Sequence, residues 1–240
     1  MVLTRGITFP HIKCAFSTLN DAGLIYINGE PFDDVSKKWK EYFESVKIPA
    51  RSVHFMKQVH GDQFAEVDGT EPTVIINDVD ALITRTKGVF VGAKAADCLL
   101  ALVFDPVLGV VASVHSGWRG TSVTILKKVV TRLLETGSKK ENIHVVLSPG
   151  INDCCYDVTG ANDGRIETFE KLFGDRGVTK RGDRVFLNIR GANLLTLEQL
   201  GIPKSNIVNF DECTISGVLN LPSHYKNQTK ERFVGAIGMI

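Results

Sequence analysis

The apolar residues of this chain fall into two rhythms. Val35, Trp39, Tyr42, Phe43 and Val46 recur every three or four positions, the spacing of one buried helix face. Asp33-Asp34 ahead of them predicts the helix start. Ile12 to Ser17, Ser52 to Met56, Gln63 to Val67, Ala81 to Thr84 and Val89 to Lys94 are short and alternate or run continuously apolar, which predicts strands. Leu99 to Phe104 and Gly109 to Val114 flank the turn signal Asp105-Pro106-Val107-Leu108 and predict a hairpin. Beyond it Leu126, Val129, Val130, Leu133 and Leu134 return to helical spacing, with Thr121 as the expected cap and Gly137 as the stop. Asn142 to Leu147 predicts a buried strand. Ile166 to Phe173 and Asn188 to Leu200 predict helices, the second stopped by Gly201 and Pro203, and Phe233 to Ile240 predicts an apolar strand. Strands and helices mix without strict alternation. The expected fold is therefore α/β (α+β), with mixed β-sheets flanked by helices rather than a doubly wound parallel sheet.

Composition changes this picture little. No repeat, low-complexity segment or linker divides the 240 residues, so a single domain over 1–240 is expected. Lys and Arg number 28 against 27 Asp and Glu, a formal charge of +1, which gives no basic surface for nucleic acid and no acidic arm. No apolar run reaches the roughly 18 residues of a membrane helix. The opening Met1-Val2-Leu3-Thr4-Arg5-Gly6 lacks the apolar core of a leader, and Pro10, His11 and Lys13 interrupt the stretch after it. A cytoplasmic location is expected. Cys14, Cys98, Cys154, Cys155 and Cys213 are odd in number and irregularly spaced, which is no disulfide framework.

Local chemistry concentrates at the predicted hairpin. With residues 105–108 as the turn, Phe104 faces Gly109 and paired residues have numbers that sum to 213, so Cys98 lies opposite His115. Opposed residues share a sheet face with Cβ atoms about 5 Å apart. A thiolate and an imidazole at that spacing can share a metal ion or act as nucleophile and base. A core cysteine beside a structural histidine is the plainer reading of the same pair. Asp97 precedes Cys98, and Ser116-Gly117-Trp118-Arg119-Gly120 comes after His115, with Arg119 a candidate for holding an anion near a helix start. His60, in Lys57-Gln58-Val59-His60-Gly61, is a loop residue that a three-ligand catalytic zinc would recruit. His11, His54 and His144 read as structural, and His224 as a weaker candidate for contacting substrate. Cys154-Cys155 reads as packing, because adjacent side chains diverge in an extended chain.

Several of these segments occur together, and in this order, in one known family. Lys57-Gln58-Val59-His60-Gly61, Asp80-Ala81-Leu82-Ile83-Thr84, Ala96-Asp97-Cys98, His115-Ser116-Gly117-Trp118-Arg119-Gly120 and Pro149-Gly150-Ile151 through Cys154-Cys155-Tyr156-Asp157-Val158 resemble the multicopper polyphenol oxidoreductase, or laccase-domain, family. The resemblance runs from about Phe16 to the end of the sequence and includes Asn193 and Cys213-Thr214. It implies a laccase-domain fold, related to that of cytotoxic necrotizing factor, and a zinc site on His60, Cys98 and His115. It also implies phosphorolysis of adenosine, guanosine, inosine and methylthioadenosine, together with adenosine deamination. The partners implied are purine nucleosides and phosphate. Five positions depart from the family pattern: Leu19 stands for an arginine, Leu99 for a proline, Ser148 for a glycine, and Tyr225-Lys226 for a pair of arginines. The lost cations bear on phosphate affinity; the three metal-ligand positions are intact.

The chain admits three functional readings. In the first, Cys98, His115 and His60 hold zinc, Asp97 orients a ligand or carries a proton, and Arg119, Gln58 and His224 contact substrate. The second is a copper-dependent polyphenol oxidase, for which Cu2+ would replace Zn2+; the chain has six histidines and no His-X-His pair. The third is a metal-free thiol hydrolase with Cys98 as nucleophile and His115 as base.

Overall fold

The computed structural model describes residues 9–21, 24–71 and 74–240. Among these residues the strands run in chain order as β1 (Ile12–Phe16), β2 (Tyr26–Ile27), β3 (Ser52–Lys57), β4 (Phe64–Val67), β5 (Ile75–Asn77), β6 (Ala81–Thr84), β7 (Val89–Ala95), β8 (Leu99–Asp105), β9 (Val110–Ser116), β10 (His144–Leu147), β11 (Val178–Arg181), β12 (Arg184–Leu187), β13 (Ile207–Asn209) and β14 (Glu231–Met239). The helices are α1 (Phe32–Ser45), α2 (Trp118–Ser122), α3 (Ile125–Glu135), α4 (Arg165–Phe173), α5 (Ile189–Gln199) and α6 (His224–Asn227). One six-stranded sheet has the order β1-β14-β7-β3-β5 with β2 on β14, and the other has the order β13-β10-β8-β9-β6-β4. Both mix parallel and antiparallel pairs: β3 runs parallel to β7 and β5, and β13 runs parallel to β10. The mixed α/β class read from the chain is the fold.

Burial shows how the layers stack. Val91, Ala93 and Ile237 of the first sheet and Leu100, Leu102 and Val111 of the second share one apolar core, so the sheets pack face to face. Trp39 and Phe43 of α1 cover the outside of the first sheet together with Val53, Phe55 and Phe90. Leu126, Val129 and Leu133 of α3 cover the outside of the second with Val103, Ala112 and Val145, and α4 and α5 extend that layer. Strands apolar on both faces are what an inner pair of sheets requires. That is why β8 and β9 are buried at every position.

Local starts differ from the sequence reading in two places. Asp33 and Asp34 lie inside the first turn of α1, where their charge favours the helix N-terminus, while Pro31 is the cap. Thr121 does not open the long helix: it lies within α2, and the residue at the head of α3 is Thr124, whose φ is 61°. The polar stretch between Gly117 and Thr124 thus forms a separate short helix, and a bend rather than one cap leads into α3.

The hairpin turn is also displaced. Asp105 stays in the ladder opposite Val110, and Pro106 to Gly109 form the loop. Asp105 Oδ1 accepts the N–H groups of Val107 at 2.8 Å and Leu108 at 2.9 Å, so its side chain builds the turn while its main chain remains strand. Gly109, at φ 71°, supplies the left-handed residue that closes it. Paired residues therefore sum to 215, and His115 faces Leu100, not Cys98. The shift is even, so Cys98 keeps the sheet face of His115 and becomes its diagonal neighbour.

Candidate metal centre

Asp80 organises the site. Wholly buried at the head of β6, it accepts the N–H groups of Val59 at 3.1 Å and Gly61 at 2.7 Å on Oδ2 and that of His60 at 3.0 Å on Oδ1. Three successive N–H groups wrapped on one carboxylate hold His60 in the left-handed region, at φ 62°. The same Oδ1 accepts His115 Nδ1–H at 2.8 Å. That bond fixes the imidazole tautomer and leaves Nε2 for the side on which Cys98 lies. Burial alone would raise the Asp80 carboxyl; the imidazole of His115 and the N–H donors outweigh it and hold it below the usual range.

The donor atoms of His60, Cys98 and His115 all lie within 4.8 Å of one another. The two imidazoles meet edge to face, centroids 4.8 Å apart. Gly117 completes the cradle: a Cβ there would come within 2.6 Å of Cys98 Sγ. Burial opposes charge on both Cys98 and His115, yet their mutual attraction prevails. The Cys98 thiol falls to about 6, helped by His115 and His60, and His115 rises to about 9, helped by Cys98 and Asp80. Two imidazoles and a readily formed thiolate, with one imidazole oriented by a carboxylate, are a donor set that fits zinc and leaves a fourth position open.

Asp97 takes φ 88° beside this cluster. Its Oδ1 accepts the Thr214 hydroxyl at 2.6 Å and its Oδ2 the Tyr225 N–H at 2.7 Å, tying Cys98 to the loop after β13 and to α6. Its carbonyl accepts Ile151 N–H at 2.8 Å. Behind His115, Ser116 donates to Asn193 Oδ1 at 2.9 Å, and Asn193 donates to Thr121 at 3.0 Å, locking β9 to α2 and α5.

Two cavities meet at the cluster. One, of about 190 Å3, is walled by Trp118, Ile151, Tyr156, Ile189 and Tyr225. The other, of about 410 Å3, is lined by Lys94, Arg232, Gln58 and Asn28. His60, Ala96, Cys98, Arg119 and His224 border both. Lys94 Nζ sits 5.0 Å from the centre of the Tyr26 ring and 5.4 Å from that of Phe32. Burial, and then neighbouring Arg232, bring Lys94 down to about 8. None of the salt bridges among the described residues involves Lys94, Arg119 or Arg232, which face this space without a directly paired carboxylate.

Of the candidate residues named from sequence, His60, Cys98 and His115 converge, with Asp97 beside them. Arg119 stacks on Trp118, its guanidinium carbon 4.5 Å from the ring centre, and His224 is exposed at the rim. Gln58 lines the cationic cavity with both ends of its amide engaged by the main chain of Lys94, at 2.8 and 3.0 Å. Asp80, Lys94 and Arg232 are not among those candidates; from sequence Lys230-Glu231-Arg232 reads as a solvated loop that could add polar contacts. Asp80 and Lys94 are each a lone charge at the end of an apolar strand, and that was the signal available. Ser148, where the family pattern has glycine, is accommodated: its hydroxyl donates to Pro149 O at 2.6 Å and accepts Leu100 N–H at 2.9 Å.

A sandwich of two mixed sheets with one Cys/His cluster at its rim defines the class. The chain belongs to the family described as multi-copper polyphenol oxidoreductase laccase, whose model matches residues 15–240. Its fold is that of a crystal structure of YlmD from Geobacillus stearothermophilus, with a TM-score of 0.85 over 99% of this chain and 96% of that one at 24% identity. Among curated relatives, adenosine deaminase RL5 from an unknown prokaryotic organism is 32% identical over 71% of this chain and 66% of its own length. Purine nucleoside phosphorylase CA_C1699 of Clostridium acetobutylicum is 34% identical over 59% of this chain and 57% of its own. The matches thus span less than two thirds of these relatives. No helix among the described residues is long and apolar enough to cross a membrane.

Proposed function

We propose that this protein is a zinc-dependent enzyme of purine nucleosides, catalysing phosphorolysis of adenosine, guanosine, inosine and methylthioadenosine, with adenosine deamination as a second activity. The observation that carries this reading is the pair of cavities joined at His60, Cys98 and Arg119, one aromatic and one cationic. A purine is flat, apolar on its faces and polar at its edge, which suits walls of Trp118, Tyr156 and Tyr225. Inorganic phosphate suits Lys94, Arg119 and Arg232, none of which is in a salt bridge among the described residues. Names of relatives that specify a purine nucleoside phosphorylase and an adenosine deaminase support the same class.

Phosphorolysis joins a phosphate oxygen to ribose C1′ and breaks the bond from C1′ to the purine nitrogen, whose electron pair then takes a proton. In this reading the cationic cavity holds the attacking phosphate against its neighbour, converting an encounter into a positioned reaction. Arg119, on the wall shared by both cavities, offsets the charge, and His224 at the rim supplies a hydrogen bond to the purine edge. Asp97 keeps Cys98, Thr214 and α6 in place through its two accepted bonds. Zinc held by His60, Cys98 and His115 would supply Lewis acidity toward a substrate or water oxygen.

The test is elemental analysis of protein purified without added metal, and then incubation with inosine and phosphate. Release of hypoxanthine and ribose 1-phosphate, lost together with bound zinc in Cys98→Ala, is expected. Full activity in the stripped protein, or phenol oxidation dependent on stoichiometric copper in its place, would overturn it.

A further inference from the structure

Three more thiols converge away from this centre. Cys154 and Cys155 lie in the loop after β10 and Cys213 in the loop after β13, and their sulfurs lie within 4.8 Å of one another as free thiols. Adjacent side chains diverge in an extended strand, but here the chain turns. The N–H groups of Cys155 and Tyr156 both donate to Asn152 O at 3.0 Å, and the neighbouring sulfurs end 3.2 Å apart. Burial opposes charge on Cys213, but the nearby backbone N–H groups of Ser216, Asn152 and Ile215 outweigh it and bring its thiol to about 7. The anion is the form of a thiol that binds a metal. Ser216 Oγ lies 3.3 Å from Cys154 Sγ, which puts an oxygen beside the three sulfurs. Cys213 is buried, Cys155 half-buried and Cys154 exposed, so the group has a protected floor and an open entrance.

We propose that Cys154, Cys155 and Cys213 form a second metal site, for a thiophilic d10 cation, Zn2+ or Cu+, with the Ser216 hydroxyl or water in the fourth position. Three sulfur donors with no carboxylate select such ions over magnesium, calcium or manganese. On binding, each remaining thiol proton passes to solvent as its sulfur bonds the ion, and nothing is oxidised. The ion would staple the Gly150 loop to the Cys213 loop where Gly150 and Cys213 already form a β-bridge. Thr214, the next residue, holds Asp97, so the staple braces the wall on which Cys98 stands.

The test uses the whole protein carrying Cys98→Ala, which silences the first site, under a reductant that does not bind metal. Titration with Cd2+ is expected to give thiolate-to-metal charge-transfer absorption saturating at one equivalent, displaced by Zn2+ or Cu+. Adding Cys154→Ser, at an exposed position, is expected to weaken binding more than the ~10–100-fold that loss of an outer-shell partner costs. In otherwise native protein the same Cys154→Ser change is expected to lower cadmium capacity from two equivalents to one, which serves if Cys98→Ala does not fold. No charge transfer in the Cys98→Ala protein, or an unchanged titration after Cys154→Ser, would overturn the proposal.

Discussion

Asp80 Oδ1 receives His115 Nδ1–H and His60 N–H at 2.8 and 3.0 Å, so one buried oxygen orients one candidate ligand and fixes the backbone of another. All four partners of this carboxylate are donors. Asparagine would turn an NH2 group toward two of them, leaving donors facing a donor. Asp80→Asn is expected to cost about 1–3 kcal/mol, a few degrees of melting temperature, and to weaken zinc binding ~10–100-fold. Chelator competition read beside thermal unfolding checks this; unchanged zinc affinity would separate Asp80 from the metal.

Gly117 is needed for space and not for backbone freedom. Its φ of −69° suits any residue, but an added Cβ would stand 2.6 Å from Cys98 Sγ. Gly117→Ala is therefore expected to leave the circular dichroism spectrum native while it lowers bound zinc and nucleoside turnover together. Full metal content in the alanine variant would contradict the crowding argument.

The metal-free protein has its own pH signature. Cys98 falls to about 6 against His115, whereas burial pushes Cys14 up to about 12. Alkylation of Cys98 should rise as pH climbs through about 6 and level off near neutrality, with Cys14 unlabelled throughout. Above about 9, His115 loses its proton and the thiolate loses its partner. Peptide mapping after brief iodoacetamide treatment reads both sites, and added zinc should suppress labelling of Cys98. A Cys98 profile rising only near the ordinary thiol value would refute the ion pair.

Much of this was readable in the chain, and the failures have physical causes. Long periodic runs such as α1 and β14 stand out because burial imposes their spacing. Three-residue strands such as β5 and β13 carry too few positions for a period, and they pair by position in the sheet. The hairpin register came out two units away because Asp105 builds the turn with its side chain while its backbone stays paired. Cys98 and His115 survived that slip because it was even. Lys94 and Arg232 were invisible as a pair, since only the β7–β14 ladder brings them near each other.

Lys94 and Arg232 line the cationic cavity. Lys94→Met and Arg232→Met are each expected to raise the KM for phosphate about tenfold, by loss of a charged contact of ~1.5 kcal/mol, with the KM for inosine little changed. Steady-state kinetics with each substrate varied in turn decides this; equal effects on both substrates would place the two cations in general folding and not in phosphate recognition.

The position of β14 sets the order in which the centre can be built. It lies between β1 and β7, and α6, just before it, provides the Tyr225 N–H that Asp97 accepts. During synthesis the ribosome must therefore release β1 and the Cys98 segment long before the strand that unites them. Until β14 inserts, Asp97 lacks one of its two side-chain partners and Arg232 has not reached the cavity. The cluster of His60, Cys98 and His115 therefore reaches its final surroundings only after the last strand of the fold has been released.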